Sequence, residues 1–130
     1  MNKIDTLIAY LFAIQAFAKD IHYSASGEAF YSKHLLADEI YKGIDEQIDA
    51  LIETCILSYN TPMQIDQYWM HAREFIPTAL DFYNLKGIIK DAINMIDLIE
   101  RTRTKGEQSL IDSIAQDLQR KLGLITRQVG

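Results

Sequence analysis

The sequence is poor in the residues that break helices or cross-link chains. Among its 130 residues it has 6 Gly, 2 Pro and a single cysteine, Cys55. So few helix breakers favour long helices over a turn-rich β fold, and one cysteine excludes a disulfide within the chain. The chain has no apolar run of the roughly 18–20 residues that a membrane span needs, and no basic-then-apolar leader opens it. We therefore expect a soluble cytoplasmic protein with no membrane partner.

Positive charge is also scarce in the sequence. The 13 Lys and Arg are outnumbered by 18 Asp and Glu, which gives a formal net charge of -5. Only Lys3 precedes the first helical pattern, and the carboxyl-terminal stretch is weakly basic. Sequence-independent DNA binding depends on Lys and Arg that neutralise phosphates, so this balance argues against DNA binding and favours the collection of cations.

Apolar residues at helical spacing are abundant along the chain. They recur at steps of three and four, the period of a helix that buries one face. The predicted helices span, in order, about 4–23, 28–57, 63–71, 79–104 and 107 to the end. Ser26 is predicted to cap the second helix, which at 1.5 Å per residue is about 45 Å long. Gly106 is predicted to separate the last two helices.

These segments predict an all-α fold in one domain, residues 1–130. The connection between the second and third long helices has about 15–20 residues, far more than an antiparallel helical hairpin needs. It is long enough to carry the chain back along a bundle, as the crossover of ferritin-like folds does. We therefore expect a ferritin-like four-helix bundle with a long crossover that carries a short helix between helices two and three.

The second predicted helix carries a stripe of side chains that bind metals. The residues that fall within an arc of about 100° on a helical wheel are His34, Asp38, Asp45, Asp49 and Glu53. His22 ends the preceding helix and is expected near the start of the stripe. A carboxylate stripe alone is more often a solvated helix face, but the two histidines favour metal binding.

The stripe is symmetric about a midpoint next to Gly43. His34 and Glu53 are about 28 Å apart on a straight helix, so one chain cannot gather both around one metal. Two copies that cross antiparallel at the midpoint would bring His34 and Asp38 of one copy to Glu53 and Asp49 of the other. Gly43 lacks a side chain and would allow a close approach at the crossing.

Imidazole and carboxylate ligands together suit iron, manganese or zinc, whereas a single cysteine excludes a thiolate zinc site. The ligand spacing resembles the ferroxidase pattern of the Dps family, the miniature ferritins, most clearly over residues 15–57. In this chain the pattern is His22-x11-His34-x3-Asp38-x10-Asp49-x3-Glu53. An aromatic residue, Tyr23, follows the first histidine, where the family usually has Trp.

The resemblance implies the activity, the assembly and the site residues. It implies a ferroxidase that binds Fe(II) at inter-subunit sites and oxidises it, typically with hydrogen peroxide. The ferric product would be stored as a mineral inside a cage, for iron storage and protection from oxidative stress. The expected assembly is a homodimer at least, and a dodecamer by the resemblance. The ligands and catalytic residues would be His22, His34, Asp38, Asp49 and Glu53.

Several alternatives stay open at this point. Glu107 and its neighbours Asp112 and Asp117 either line an iron-entry pore or, more often for such residues, are ordinary surface charges. His71 is either a ligand or, more commonly for a lone histidine among aromatic residues, structural. No Glu-x-x-His occurs, which argues against the di-iron site of full-size ferritins. The alternative function is a non-catalytic ferritin-like bundle with a structural or partner-binding role.

Overall fold

The structure of the protein, a computed structural model, describes residues 1–129, so Gly130 of the predicted domain lies outside the described residues. Within that range it contains six α-helices and no β-strand, which confirms the all-α prediction. None of these helices is long and apolar enough to cross a membrane. The helices are α1 (Lys3–Ser24), α2 (Phe30–Tyr41), α3 (Ile44–Cys55), α4 (Ile65–Glu74), α5 (Phe82–Asp97) and α6 (Lys105–Val129).

The first helix, α1, lies at the centre of the fold. It packs against α2, α3, α4 and α5, while α6 packs against α2, α3 and α5. Because neighbours cover α1 on several sides, its burial extends beyond the predicted apolar stripe. Leu7 and Leu11 of the stripe are fully buried, and so are Ala9 and Ala13 outside it. Asn2 caps the helix by accepting a hydrogen bond from the backbone amide of Asp5 at 2.8 Å, which satisfies one free donor of the first turn.

The short helix α4 covers α1 with aromatic side chains. The ring of Trp69 lies 4.8 Å from that of Phe12 between centroids. Tyr68 is fully buried, and its hydroxyl donates a 2.7 Å hydrogen bond to the carboxylate of Asp5. Burial, together with the bond to this carboxylate, raises the pKa of Tyr68 well above its ordinary value. The hydrogen bond and the contact between the rings of Trp69 and Phe12 fix α4 on α1.

The contacts between helix ends give the directions of the helices. Lys3, at the start of α1, donates a 2.7 Å hydrogen bond to Glu100, just beyond α5, so these two helices are antiparallel. His22, at the end of α1, stacks on His34 in the first half of α2, so α1 and α2 are antiparallel as well. Hence α2 and α5 run in the same direction. The connection formed by residues 56–81 includes α4, which packs against α1.

The predicted helix at 28–57 is two helices in the structure. α2 ends at Tyr41, the backbone of Lys42 is extended, and Gly43 takes the left-handed φ of +82° before α3 begins. Glycine adopts positive φ without the steric penalty that a Cβ brings. The prediction of one continuous rod is therefore wrong, because Gly43 takes a left-handed conformation in a turn between two helices. Ile40 and Ile44, on either side of the turn, are both fully buried.

The cap predicted at Ser26 is also wrong. α2 begins at Phe30, after Ala29, whose φ of +60° is left-handed, and no side chain caps its first turn. Gly27 has a φ of +75°, and its carbonyl accepts the backbone amide of Phe30 at 3.2 Å. Gly27 and Ala29, two left-handed residues separated only by Glu28, lie in the short turn that leads from α1 to α2.

The third and fourth long helices differ from the prediction at their ends. α5 is shorter than predicted: Asp81 caps it by accepting the backbone amide of Asn84 at 2.8 Å, and it ends at Asp97. Gly106 lies inside α6 and is not a break, because the side chain of Thr104 accepts the backbone amide of Glu107 at 3.3 Å and fixes the helix start before the glycine.

Two glycine replacements test the break between α2 and α3. Gly43→Ala is expected to lower the free energy of unfolding by about 1–2 kcal/mol, because a Cβ is strained at this positive φ. No atom lies within 4 Å of the added Cβ, so the effect is conformational rather than a clash. Gly87→Ala, the same change in equally open space inside α5, is expected to raise this free energy by about 0.5–1 kcal/mol. Urea unfolding measures both, and a stabilising Gly43→Ala would contradict the break.

Candidate metal centre

The turn between α1 and α2 places two histidines side by side. His22 lies in the last turn of α1 and His34 in the second turn of α2. Their rings are stacked, with centroids 3.6 Å apart and planes 24° from parallel. Both residues are half-buried, so neighbouring groups pack against the pair while part of it remains exposed to solvent. The sequence predicted that His22 lies near the start of the stripe, and the structure has it in direct contact with His34.

Each histidine binds the backbone of the other. Nδ1 of His22 lies 2.9 Å from the carbonyl oxygen of His34, and Nδ1 of His34 lies 3.0 Å from the carbonyl oxygen of His22. The carbonyl of His22 is among the last of α1, where helix carbonyls lack intrahelical partners. The ring of His34 therefore supplies a cap to α1, and the two hydrogen bonds fix both rings.

The hydrogen bonds determine where the ring protons lie. A carbonyl oxygen only accepts, so each Nδ1 that bonds one must carry a hydrogen and donate it. In a neutral imidazole the other nitrogen, Nε2, then keeps its lone pair. Metal-ligating histidines usually have this arrangement, in which the nitrogen away from the metal donates to a carbonyl or a carboxylate. His22 and His34 are thus both prepared to bind a cation through Nε2.

Asp38 follows His34 by one helical turn and belongs to the same neighbourhood. It is half-buried and interacts with Tyr41, whose ring lies edge-on to His22 at 5.5 Å between centroids. Burial, followed by the interaction with the Asp38 carboxylate, raises the pKa of Tyr41 above its ordinary value. The ring of Phe30, one turn before His34 on α2, lies 5.4 Å from the ring of His34 between centroids. Aromatic rings therefore flank the two imidazoles.

The remaining predicted ligands, Asp49 and Glu53, lie on α3 beyond the break. Both are exposed. Asp45, one turn before Asp49, accepts a hydrogen bond from Gln15 of α1. The row of acidic residues on α3 therefore begins where α3 contacts α1. Over the described part of the chain, no three His, Cys, Asp or Glu side chains are grouped closely enough to hold a metal ion. The structure thus joins His22 to His34 but does not bring all five predicted ligands together.

Chain geometry explains this separation. Even if the helix axis turned by a right angle at Gly43, helical rise would keep the Cα atoms of His34 and Glu53 about 20 Å apart. The same estimate for Asp38 and Asp49 is about 12 Å. The break therefore changes the direction between the two groups of ligands without closing the gap.

Of the three acidic residues considered for an iron-entry pore, Glu107 and Asp117 have carboxylates that are hydrogen-bonded within the chain. Glu107 is 2% exposed, so it is not the ordinary surface charge expected from the sequence. Its carboxylate accepts hydrogen bonds from Tyr59 at 2.8 Å and Arg103 at 2.9 Å. Burial raises the pKa of Glu107, but the hydrogen bonds from Tyr59, Arg103 and Thr104 outweigh it, so the pKa lies below its ordinary value.

Asp117 is likewise bound within the fold, whereas Asp112 is exposed. Asp117 accepts hydrogen bonds from Gln47 on α3 and forms a 2.8 Å ion pair with Lys121. Asp112 lies 3.6 Å from Arg101 in an exposed pair, which contributes little to stability. Asp117 therefore joins α6 to α3, Glu107 joins the start of α6 to the connecting segments that bear Tyr59 and Arg103, and both carboxylates are occupied by these partners.

The buried ammonium of Lys121 was missed in the sequence. A sequence signal for it exists, because Ile114, Leu118 and Ile125 form the apolar stripe of α6 and position 121 falls on the same stripe. The ammonium of a lysine on an apolar stripe either reaches solvent at the end of its side chain or is buried with polar partners. The structure shows the second case, with Lys121 fully buried.

No protein-family model matches this sequence, and the comparisons with curated proteins and with solved structures found no match either.

The protonation of the histidine pair is a testable property of this centre. With ¹⁵N-labelled histidine at a pH where the rings are neutral, His22 and His34 are expected to carry their hydrogen on Nδ1, because each Nδ1 donates to a carbonyl. Long-range ¹H–¹⁵N correlation spectra distinguish the two tautomers. The third histidine, His71, half-buried on α4, provides the signal of a ring outside the pair for comparison. A hydrogen on Nε2 of either His22 or His34 would contradict the reciprocal bonds.

The buried carboxylate of Glu107 predicts how stability depends on pH. Because its folded-state pKa is lowered from 4.5, it stabilises the fold above about pH 4.5, and that contribution is lost as the pH falls through the folded-state pKa. Glu107→Gln is expected to lower the free energy of unfolding at pH 7 and to flatten its decline in acid. Urea unfolding between pH 3 and 7 measures this, with the exposed Glu74→Gln as the matched control. A decline as steep as in the parent protein would show that Glu107 is not responsible.

Proposed function

We propose that this protein is a ferroxidase and iron-storage protein of the Dps type, which binds Fe(II) between two copies of the chain. The observation that carries the proposal is the histidine pair. His22 and His34 hold each other through their Nδ1 atoms, which leaves the Nε2 lone pair of each ring available to a cation. Asp38 follows His34 by one turn of α2 and provides a carboxylate on the same side of that helix. Mixed imidazole and carboxylate donors suit Fe(II), with manganese or zinc as competitors for the same ligands.

The helix directions support a ferritin-like fold for this proposal. α2 and α5 both run antiparallel to α1, and the connection between them carries the short helix α4. The helix neighbours form a ring in which α1 and α6 are each in contact with α5 and with the α2–α3 pair. Both features are those of a four-helix bundle with one long crossover. In this bundle α2 and α3 together take the place of one long helix.

A second copy of the chain supplies the rest of the proposed site. Since Asp49 and Glu53 lie far from His34 along their own chain, they reach the histidines of a partner in a two-fold pair that crosses near Gly43. Exposed apolar side chains accompany Asp38 on its ridge of α2: Tyr31 is 68% exposed and Leu35 is 48% exposed. Burial of these side chains against a partner would favour the dimer.

The proposed reaction is the oxidation of Fe(II) substrate by hydrogen peroxide. Two Fe(II) ions each give up one electron, and the peroxide takes both electrons and two protons as its O–O bond breaks. The products are two Fe(III) ions and two water molecules. His22 and His34 bind in their neutral form, and the carboxylates favour the harder Fe(III) product, which lowers the barrier to electron loss.

Storage requires a larger assembly than the dimer. We propose a dodecameric cage in the cytoplasm that holds ferric mineral and so limits oxidative stress. The net charge of -5 favours cations over polyanions, and DNA binding is not part of the proposal. Light scattering measures the mass in solution: at least a dimer is expected, and a monomer at micromolar concentration contradicts the inter-subunit site.

Anaerobic Fe(II) loading followed by peroxide tests the activity. The parent protein is expected to develop ferric absorbance faster than a protein-free solution. The double variant Asp38→Asn, Asp49→Asn removes one ligand from each half of the site, so its rate is expected to fall by more than about 10-fold, since even outer-sphere partners of metals contribute 10–100-fold. The charge-matched control is Asp91→Asn, Asp97→Asn on α5, where both residues are exposed.

The outcomes separate the two candidate functions. Ferric absorbance that disappears in the ligand variant and persists in the control supports the ferroxidase. If the parent protein does not accelerate the reaction, the ferroxidase proposal is wrong, and the non-catalytic ferritin-like bundle with a structural or partner-binding role takes its place.

A further inference from the structure

A fully buried lysine lies at the break between α2 and α3. The side chain of Lys121, on α6, is 0% exposed. Its ammonium donates to the carbonyl oxygen of Lys42 at 3.0 Å and pairs with Asp117 at 2.8 Å. Lys42 directly follows the end of α2, where helix carbonyls lack intrahelical partners. Burial of an ammonium is costly unless it is paired and hydrogen-bonded, and Lys121 meets both conditions.

The polar contacts of α6 extend to both sides of the break. Gln47, in the first turns of α3, donates to Asp117 at 2.8 Å. Arg120 donates to Glu39 of α2 at 2.9 Å. Burial raises the pKa of Asp117, but the bonds from Lys121 and Gln47 outweigh it, so its pKa lies below its ordinary value. One short stretch of α6 therefore binds α2, the break and α3 at once.

The need to satisfy one carbonyl does not explain this arrangement. Lys42 and Gly43 are exposed residues, and the carbonyl groups of an exposed turn are ordinarily satisfied by water without a buried ammonium. A glycine at positive φ also leaves the turn free to adopt other backbone angles. A buried ammonium, in contrast, ties Lys42 to one position on α6. Its effect is to restrict the angle between the two helices.

We infer that Lys121 is a positioning residue for the metal centre, because it fixes the orientation of α2, which bears His34 and Asp38, relative to α3, which bears Asp49 and Glu53. The inference rests on the proposed function, in which α2 of one copy and α3 of the other build each site. In a two-fold pair that crosses at the break, this angle sets the distance between the two halves of the site. A displacement of about 1 Å is enough to lower reactivity about 100-fold.

A cobalt titration tests the role of Lys121. The variant is Lys121→Met in an Asp117→Asn background, because removing both charges leaves no unpaired buried ion. Co(II) affinity is measured by the d–d absorption of the bound ion, which also reports its coordination. We expect the affinity to fall by about 10-fold or more, as it does when a supporting group of a metal site is lost. The d–d bands are expected to shift as well, and the dimer mass to remain.

Two further variants complete the test. Lys90→Met, at an exposed position of α5, is the matched control and is expected to bind Co(II) like the parent protein. Gly43→Ala disturbs the same turn without touching any charge, and it too is expected to weaken Co(II) binding. In the Lys121 variant and in Gly43→Ala, the Nδ1 protons of His22 and His34 are expected to persist, because the α1–α2 contact does not depend on the break. A general loss of structure would remove them.

The results distinguish this inference from the proposed function. If the parent protein binds Co(II) and oxidises Fe(II), but the Lys121 variant and Gly43→Ala have parental Co(II) affinity and spectra, Lys121 does not position the site and only this inference is wrong. If the Lys121 variant does not fold, Gly43→Ala alone decides in the same way. If the parent protein neither binds Co(II) nor oxidises Fe(II), the proposed function fails, and this inference fails with it.

Discussion

α1 is stable in water only if other helices cover most of its surface, because apolar side chains occupy most of its positions. α2, α3 and α5 cover part of it, and α4 closes a further side through Trp69 and Tyr68. The connection that carries α4 therefore contributes to the cover of α1. His22 lies in the last turn of the same central helix, where the ring of His34 caps its carbonyl.

Much of the fold follows from the sequence because apolar spacing is a direct record of burial. The positions of α1, α4 and α6 were predicted within a few residues, since nothing in those segments competes with the helical pattern. The break at Lys42 and Gly43 could not be predicted in that way. Glycine is compatible both with a helix and with a left-handed turn, and the contact at this break is made by Lys121, about eighty residues away in sequence.

The candidate site likewise has features that residue spacing predicts and features that depend on the tertiary structure. Residue types and spacing identified His22 and His34, because few other residues bind metals and the turn between them is short. Their reciprocal backbone bonds have no sequence signal, since any helix offers carbonyl groups at its end and only the turn geometry selects these two. The burial of Glu107 was missed because a carboxylate at a helix start usually faces water, whereas here Tyr59 and Arg103 enclose it.

The buried position of Cys55 bears on how such a protein would age. Burial, reinforced by the nearby negative charge of Glu107, raises the pKa of the Cys55 thiol above its ordinary value. Peroxides attack the thiolate, so this sulfur resists conversion to sulfenic acid. The exposed thioethers have no such protection: Met70 is 67% exposed and Met1 is 57% exposed. Oxidation by peroxide would thus accumulate as methionine sulfoxide on the outer surface, where reductases can reach and repair it, and would leave the buried thiol intact.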